Sequence, residues 1–388
     1  MSSVLLLADD NPGHAGTVLD HIQALCALGR HRVDRVNPIG VPLNPLLRLD
    51  DYDVLVVHYS VVLVQDYYLG PSWRQAIRRF RGLKIQFIQD EYRWVNRMRR
   101  CIQNLGIQVV FTVAPPPSAA QLYGGLGVEM VATLTGYVPS ALLARKVPPL
   151  AERQLEVGYR GRDLPYWLGE LAQEKRWIGE GFLRRAPAHR VSVDISWHEA
   201  DRIYGESWLE FLASCRATLA SESGASLSDF DGEVELQVVR YLRQHPEATF
   251  EQVGPLIQPF DHNLPVVAIS PRVLEAAALR TALVMFPGHY SGLVEPEQHY
   301  IPLQKDFSNF DQVVDRLRDL PALQAMVERT YQHLIASGRY SYTVLSRQLS
   351  EVIERRGSDC KSPGRWRLQL AQAERRLRML WRRLRQKL

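Results

Sequence analysis

Short apolar runs alternate with amphipathic segments along most of this chain, and this alternation limits the fold more than any other feature. Six such runs lie within the first 140 residues: Val4–Ala8, Arg32–Val36, Val54–His58, Lys84–Gln89, Val109–Val113 and Met130–Leu134. The segments between them have helical spacing, as in residues 17–28, where apolar side chains recur every three or four positions. Strands separated by helices predict βαβ units and a parallel sheet.

A second alternating series follows residues 139–154, which contain prolines and no clear strand and are therefore predicted to be a linker. The series starts at residues 155–162. Its later strand candidates are Val191–Ile195, Ala217–Ser221, Val266–Ile269, Leu283–Phe286 and residues 299–303. Helices are predicted at residues 166–182, 234–244, 272–279 and 310–336.

These patterns predict an α/β protein with two doubly wound, Rossmann-like domains, residues 1–138 and 155–358, that face a central cleft. Open α/β sheets bind ligands at the carboxyl ends of their strands. Two such sheets facing each other suit an enzyme with two substrates. Residues 359–388 are predicted to add a basic amphipathic helix.

Composition narrows the class of protein. The 388 residues are 46% hydrophobic, which is enough for two cores. The four cysteines are far apart and form no CxxC pair, which argues against a zinc site or a disulfide framework and indicates a reducing compartment. The sequence shows no signal peptide and no apolar run long enough to span a bilayer, so we expect a cytoplasmic protein.

The formal net charge of +5 is unevenly distributed. Residues 361–388 contain ten Lys or Arg and one acid, a net +9, whereas the rest of the chain has 37 basic and 41 acidic residues, a net −4. A body of this charge is not expected to bind nucleic acid. Any attraction to anionic surfaces is predicted to reside in the last thirty residues.

The first strand leads into two acids, Asp9 and Asp10, as the acid pocket of a phospho-receiver domain would require. A receiver also needs an aspartate after the third strand, where this chain has His58. The first loop is therefore predicted to be a binding loop. Its two glycines, Gly13 and Gly16, are candidates for acceptor binding.

The segment from residue 269 to 319 carries the most chemical information. A strand is followed by Ser270 as a candidate N-cap and by Pro271 in the first helical turn, and the free N–H groups of such a helix start suit a phosphate. Arg272 and Glu275 are three residues apart and project from the same side of the helix. The Arg272 guanidinium is placed to bind a diphosphate, and the Glu275 carboxylate is placed to accept hydrogen bonds from the hydroxyls of a ribose. The alternative is a surface ion pair.

The same segment resembles the C-terminal region of group-1-like glycosyltransferases, in particular the variant found with CgeB-type spore-maturation proteins. The matching residues are Arg272, Glu275, Ala276, Ala278, Tyr290, Gly292, His299, Tyr300, Ile301, Asp306 and Asn309. The resemblance is close over about fifty residues. It implies the two-domain GT-B fold over residues 1–355, with a nucleotide-sugar donor, for which we expect a UDP-sugar, in the C-terminal domain. Many relatives have an acid about eight residues before the helix glutamate, where this chain has Val267.

The resemblance extends the set of donor-binding candidates. Arg160, Gly161 and Arg162 follow the first strand of the second domain, where the loop approaches the diphosphate in this fold; the alternative is a solvated basic turn. Glu222 ends another strand and is placed to touch donor or acceptor hydroxyls, or else to hold its own loop. Tyr290 belongs to the glycine-containing loop of the motif.

Three residues at strand ends of the first domain are candidates for a catalytic base. An inverting sugar transfer needs one group to take the proton of the acceptor hydroxyl, whereas a retaining transfer needs none. Asp90, His58 and His14 are the candidates, and Asp90 is preferred.

The tail has apolar residues at helical spacing, among them Trp366, Leu370, Ala373 and Leu377, and arginines occupy most other positions. Such a helix is typical of one that binds an anionic membrane surface. The alternatives are a helix packed on the body or a short coiled coil in a dimer.

Together these features predict a glycosyltransferase that transfers a sugar from a nucleotide sugar to a saccharide or lipid-linked acceptor in cell-surface polysaccharide or glycolipid synthesis, at the inner membrane face. No Asp-x-Asp motif lies where a metal would be held, so the reaction is expected to need no metal and no other cofactor. The alternatives are a UDP-sugar 2-epimerase, which shares the fold, and a non-catalytic binding protein, which the missing acid at Val267 favours.

Overall fold

The computed structural model describes residues 1–356 and 365–385 of the chain. The first domain contains strands β1 (Ser3–Leu7), β2 (Arg32–Val36), β3 (Val54–Val57), β4 (Leu83–Ile88), β5 (Val109–Thr112) and β6 (Glu129–Ala132). Its helices are α1 (Gly16–Cys26), α2 (Pro71–Arg79), α3 (Val95–Leu105) and α4 (Pro116–Tyr123). Helix α5 (Ser140–Leu143) lies in the predicted linker.

The second series is longer and more varied. Its strands are β7 (Leu155–Arg160), β8 (Val193–Ser196), β9 (Cys215–Ala220), β10 (Ser223–Ala225), β11 (Val266–Ala268), β12 (Ala282–Met285) and β13 (Ile301–Pro302). Its helices are α6 (Glu170–Arg185), α7 (Gly205–Ser214), α8 (Glu233–Gln244), α9 (Phe250–Ile257), α10 (Pro271–Ala278), α11 (Phe310–Arg318), α12 (Leu320–Tyr331), α13 (Tyr342–Arg356) and α14 (Arg365–Arg385).

Both main sheets are parallel, as the alternation predicted. The first has strand order β2-β1-β3-β4-β5-β6 and the second β13-β12-β9-β7-β8. Every residue of β1, β3, β4 and β5 is buried, because helices cover both faces of a doubly wound sheet. This burial explains why those strands appear in the sequence as unbroken apolar runs. The prediction of an α/β fold with two Rossmann-like domains is confirmed.

Two details differ from the predicted elements. Strand β11 pairs antiparallel with β10 in a separate two-stranded sheet, and the two backbones approach so closely that a Cβ on Gly224 would lie 1.9 Å from the carbonyl oxygen of Val266. The helix predicted over residues 310–336 is interrupted at Asp319. The Asp319 carboxylate accepts from the backbone N–H of Ala322 at 3.1 Å and caps α12.

Helix α13 returns from the second series to the first domain and packs along α1. Leu345 and Leu349 are buried in one apolar cluster with Ile22 and Leu25, and the Ser346 hydroxyl donates to the carbonyl of Ala24 at 2.8 Å. The last part of the predicted 155–358 segment therefore stabilises the opposite domain.

A second connection crosses the cleft between residues 92–96 and 229–235. The Arg93 guanidinium makes two hydrogen bonds with Glu235, at 2.8 and 2.5 Å, and the Asp229 N–H donates to the Tyr92 carbonyl at 2.7 Å. The Asp229 carboxylate accepts from the N–H groups of Gly232 and Glu235. Residues 229–231, an Asp-Phe-Asp stretch, thus cap α8 and join the two domains.

Helix α14 packs on the first domain through Leu368, which is buried in that domain's core. The predicted tail at 364–388 begins and ends outside the described residues. Among the helices of the described part of the chain, none combines the length and the apolar character needed to cross a membrane.

Glu91, just after β4, introduces a pH-dependent contribution to stability. Its carboxylate accepts from the Ala114 N–H at 2.8 Å and from the hydroxyls of Thr112 and Tyr123. Burial raises the pKa of Glu91 from 4.5 to about 7, and these hydrogen bonds oppose the shift. Between these two pH values the folded state holds a proton that the unfolded state has lost.

We therefore expect the free energy of unfolding to fall as pH rises from about 4.5 to about 7, by on the order of 2 kcal/mol from this group alone. Glu91→Gln removes the titration, so the difference between wild type and variant isolates it. Urea unfolding at pH 5 and pH 8 measures both. Equal pH slopes for the two proteins would contradict the prediction.

Candidate donor and acceptor site

A cavity of about 380 Å³ between the two domains collects most of the predicted donor-binding residues. Arg160, Ser270, Arg272 and Glu275 line it from the second domain, and Gly16, at the start of α1, lines it from the first. The volume is within the range of small-molecule sites. The structure thus brings together residues that are up to 259 positions apart in sequence, from Gly16 to Glu275.

Helix α10 begins at this cavity. Ser270 occupies the N-cap position without a side-chain cap hydrogen bond, and Pro271 starts the first turn. Proline suits this position because it has no N–H to satisfy and its φ is already helical. A helix start that lacks a side-chain cap retains its capacity to bind an anion.

Glu275 lies one turn further along α10 and is half-buried. Its Oε2 atom accepts from the Trp208 indole N–H at 2.8 Å. Burial raises the pKa of this carboxyl, while the Trp208 hydrogen bond and the charge of Arg272 oppose the rise. The Arg272 guanidinium lies 5.2 Å from the Trp208 ring centre and donates to the Arg160 carbonyl. The predicted pair is therefore part of a fixed polar wall and not a surface ion pair.

The three candidates after β7 have different surroundings. The Arg160 guanidinium makes two hydrogen bonds with Asp194, at 2.7 and 2.8 Å, so its charge is already paired. Arg162 is exposed. A Cβ on Gly161 would lie 2.9 Å from the Lys175 carbonyl oxygen, so packing alone explains the glycine. The structure therefore gives no support to the idea that this position holds a glycine so that a diphosphate can approach the backbone.

Glu222 and Tyr290 shape the loop after β12 and do not line the large cavity. Glu222 is buried and its Oε1 atom accepts from the N–H groups of His289 and Tyr290, at 3.0 and 2.7 Å. Burial raises the pKa of Glu222, and these backbone hydrogen bonds oppose the rise. Tyr290 has no exposed surface and its hydroxyl donates to the Phe286 carbonyl at 2.6 Å. The surroundings of both residues indicate a structural role.

Lys175 of α6 is a site residue that the sequence analysis missed. It lines a second part of the cleft, a cavity of about 260 Å³ that also contains Asp90 and Pro271. Its Nζ donates to the Ser223 hydroxyl at 2.9 Å. Burial lowers the pKa of Lys175 to about 7, and the charge of Arg272 acts in the same direction. One feature of the sequence could have indicated it: Lys175 lies on the apolar side of its helix, three residues before the buried Ile178.

The three candidate bases lie in different environments. Asp90 is exposed in the cleft, where the Tyr92 hydroxyl donates to it at 2.8 Å. His14 pairs with Asp9 at 2.8 Å in the first loop, next to Gly13, whose N–H donates to Asn11. Neither lies among the residues of the 380 Å³ cavity.

His58 is fully buried, and the structure does not bring it to the cleft. Its Nε2 atom lies 3.0 Å from His21 Nδ1 and its Nδ1 atom 2.8 Å from the Ser60 hydroxyl. Burial holds the pKa of His58 well below its usual value. The prediction of a base at this strand end is corrected: the imidazole is neutral and both of its nitrogens have partners.

A third cavity, of about 250 Å³, lies at the carboxyl ends of β5 and β6. Thr133 and Tyr137 line it from the first domain, and His289 and Ser291 from the loop after β12. Arg339, just before α13, adds a positively charged side chain to the lining. Val113 lines both this cavity and the one that contains Asp90 and Lys175, so the two adjoin.

No protein-family model matches the chain, and no curated protein matches it. Solved structures do match over nearly its whole length. HepE from Anabaena in complex with UDP has 12% sequence identity and a TM-score of 0.53, covering 92% of this chain and 100% of that chain. An alpha-glucosyltransferase in complex with UDP-glucose and DNA containing an abasic site has 10% identity and a TM-score of 0.52, covering 90% and 98%.

Sucrose-phosphate synthase from Thermosynechococcus elongatus has 11% identity and a TM-score of 0.52, covering 91% of this chain and 98% of that chain. At these identities the likeness concerns the fold. The chain has the two-domain GT-B fold of these glycosyltransferases.

Proposed function

We propose that this protein is a glycosyltransferase that transfers a sugar from a UDP-sugar to a saccharide or lipid-linked acceptor. The observation that carries the proposal is the 380 Å³ cavity, in which Arg272, Glu275 and the start of α10 face the first loop of the other domain. Two of the similar structures contain UDP or UDP-glucose, which supports this choice of donor.

In the proposed complex the nucleoside occupies the 380 Å³ cavity and its ribose hydroxyls donate to Glu275. Trp208 holds one carboxylate oxygen at 2.8 Å and so fixes the orientation of the group. The diphosphate lies at the start of α10 between Arg272 and Lys175, since Pro271 lines both this cavity and the one containing Lys175. The sugar then points toward Asp90.

This arrangement supports transfer without a metal. The leaving diphosphate gains negative charge in the transition state, and preorganised cations and helix N–H groups stabilise such charge. Arg272, Lys175 and the α10 start supply them here. Asp90 is the proposed base if the reaction inverts, because it is exposed in the cavity that adjoins the donor. A retaining reaction would leave it a role in binding.

The acceptor is proposed to enter from the first domain, past the loop with Gly13, Gly16 and His14 or through the 250 Å³ cavity. We propose a saccharide or a lipid-linked saccharide and not a nucleic acid, because residues 1–360 carry a net charge of −4. Cell-surface polysaccharide or glycolipid synthesis is the proposed setting, with residues 364–388 holding the protein at the inner membrane face.

Thermal unfolding with a panel of nucleoside diphosphates, in buffer containing EDTA, tests donor binding and metal independence together. A ligand at about 100 times its dissociation constant adds roughly 2.7 kcal/mol to stability. We expect UDP to raise the melting temperature in EDTA and UMP to raise it much less, because UMP lacks the second phosphate.

Product analysis with the UDP-sugar then separates the enzyme classes. Sugar on an acceptor indicates transfer, an epimerised nucleotide sugar indicates the epimerase, and binding without turnover indicates a non-catalytic protein. If no nucleoside diphosphate stabilises the chain, the assignment of the cavity is wrong.

A further inference from the structure

Helix α14 packs on the first domain mainly with its polar side. The Gln372 side chain donates to the Arg35 carbonyl at 3.0 Å, Arg367 pairs with Asp51 at 3.3 Å, and Glu374 accepts from Asn44. Leu368 adds one buried apolar contact on this side. These contacts fix which face of the helix looks outward.

The outward face is apolar. Trp366, Leu370 and Leu377 are spaced by four and seven residues, so they form one stripe on the side opposite Leu368. They are 55%, 49% and 59% exposed, respectively. A helix that served only to stabilise the domain would bury its apolar stripe and expose its polar face. The observed orientation is the reverse.

The charge around this apolar stripe indicates the kind of surface that it binds. Arg376 on one flank and Arg378 on the other border the three apolar side chains, and both are exposed. The nearby acid, Glu374, is already engaged by Asn44 and by Arg378 at 2.8 Å. Residues 361–388 carry a net +9. An apolar stripe in a segment of this net positive charge, with Arg376 exposed beside it, suits the surface of an anionic bilayer.

The first domain adds Leu46, an exposed apolar residue two positions from Asn44, which contacts the helix. The Asn44 Oδ1 atom accepts from the Leu46 N–H at 2.7 Å, while the Asn44 amide donates to Glu374. One side chain therefore holds both the turn that presents Leu46 and the helix. We call Leu46, Trp366, Leu370 and Leu377 the docking face.

This face is also linked to the proposed acceptor loop. Asn37 lines the groove between α14 and the 36–47 loop, together with Glu374. Its amide donates to Asp9 at 2.8 Å, and Asp9 in turn pairs with His14. A chain of two direct contacts thus runs from the edge of the docking face to the loop that faces the acceptor.

We propose that the docking face binds an anionic lipid bilayer with the first domain turned toward the membrane, and that the acceptor is lipid-linked and reaches the first loop from the bilayer surface. The identity of the acceptor rests on the proposed glycosyltransferase function. Membrane binding itself does not, so the two parts are tested separately.

Vesicle flotation of the full chain tests the docking face. We expect binding to vesicles of 30% phosphatidylglycerol in phosphatidylcholine that is weakened at least about tenfold by Leu370→Glu with Leu377→Glu, and by high salt. Leu46→Glu is expected to weaken binding by about threefold. Leu236→Glu is the matched control, because Leu236 is 49% exposed on α8 of the other domain.

Equal flotation of the wild type and the double variant, or of wild type on neutral and anionic vesicles, would overturn the proposal. So would light scattering that shows a wild-type dimer, lost in the double variant, with no vesicle binding; the stripe would then join two copies of the chain. Stabilisation by UDP is measured in the same variants. Its retention in a protein that no longer floats shows that only membrane binding was lost.

Discussion

Replacing Lys175 by methionine is expected to lower kcat/KM for sugar transfer by about 10²- to 10³-fold, the range seen when one preorganised donor to a developing negative charge is removed. Lys175 is half-buried in the cleft, and its Nζ donates to Ser223 at 2.9 Å. Methionine keeps the length and apolar stem of lysine but removes the charge. The fold is therefore expected to survive the change.

The pH dependence of UDP affinity gives a second readout of the same residue. Burial lowers the pKa of Lys175 to about 7, and a bound diphosphate is expected to raise it again by favouring the charged form. Above pH 7 the complex then takes up a proton on binding. UDP affinity should fall as pH rises from 7 to 9, by up to tenfold per pH unit, and this fall should be smaller in Lys175→Met.

Calorimetry at pH 8 in two buffers of different ionisation enthalpy measures the proton uptake directly. The control is Lys146→Met, since Lys146 is an exposed lysine outside all three cavities of the cleft. Identical proton uptake in wild type and Lys175→Met would show that the diphosphate does not contact this ammonium group.

The alternation of apolar runs and helical segments was sufficient to predict both sheets, since strands covered on two faces, such as β1, β3, β4 and β5, are buried throughout. The placement of Arg272 and Glu275 on the same side of α10 was also predictable, because residues three positions apart in a helix project from one side. The start of α10 at Pro271 follows from the chemistry of proline. In each case the structure follows from residues that are close together in the sequence, and such short-range relations are visible in a sequence pattern.

Features that depend on distant parts of the chain were not predictable in this way. Trp208 meets Glu275 across 67 residues, and Lys175 meets Ser223 across 48. In addition, a glycine or glutamate after a strand looks the same in the sequence whether its loop binds a ligand or packs against neighbouring backbone. Gly161 and Glu222 were predicted as ligand contacts, but the structure shows that neighbouring backbone occupies the space around the first and hydrogen-bonds to the second.

The orientation of α14 illustrates the same limit. The spacing of its apolar residues predicted an amphipathic helix, and the structure contains it as Arg365–Arg385. Amphipathicity alone does not say which face a helix presents to the body. The contacts of Gln372 and Arg367 with the first domain decide that question, and the resemblance to the CgeB-type segment gave no information about it.

Glu275→Ala is expected to weaken UDP binding by about 30- to 100-fold, with little change in the stability of the unliganded protein. One carboxylate oxygen accepts from Trp208 at 2.8 Å, which leaves the other for ribose hydroxyls. Hydrogen bonds to a charged group contribute roughly 1.5 to 3 kcal/mol each, and 1.36 kcal/mol is a tenfold change in affinity. Burial disfavours the ionised carboxyl, as its raised pKa shows, so its removal relieves an unfavourable charge and offsets the loss of the acceptor for the Trp208 N–H.

Two further variants separate the contributions to binding. Glu275→Gln keeps the shape and one acceptor oxygen but loses the charge, so its affinity should lie between those of wild type and Glu275→Ala. Trp208→Phe removes only the group that orients the carboxylate and should weaken binding by about three- to tenfold. Isothermal titration with UDP, together with melting of the unliganded proteins, measures all of these. A Glu275→Ala protein that binds UDP as tightly as wild type would contradict the prediction. The affinity would then not depend on this carboxylate, and the ribose would have to lie elsewhere in the cleft.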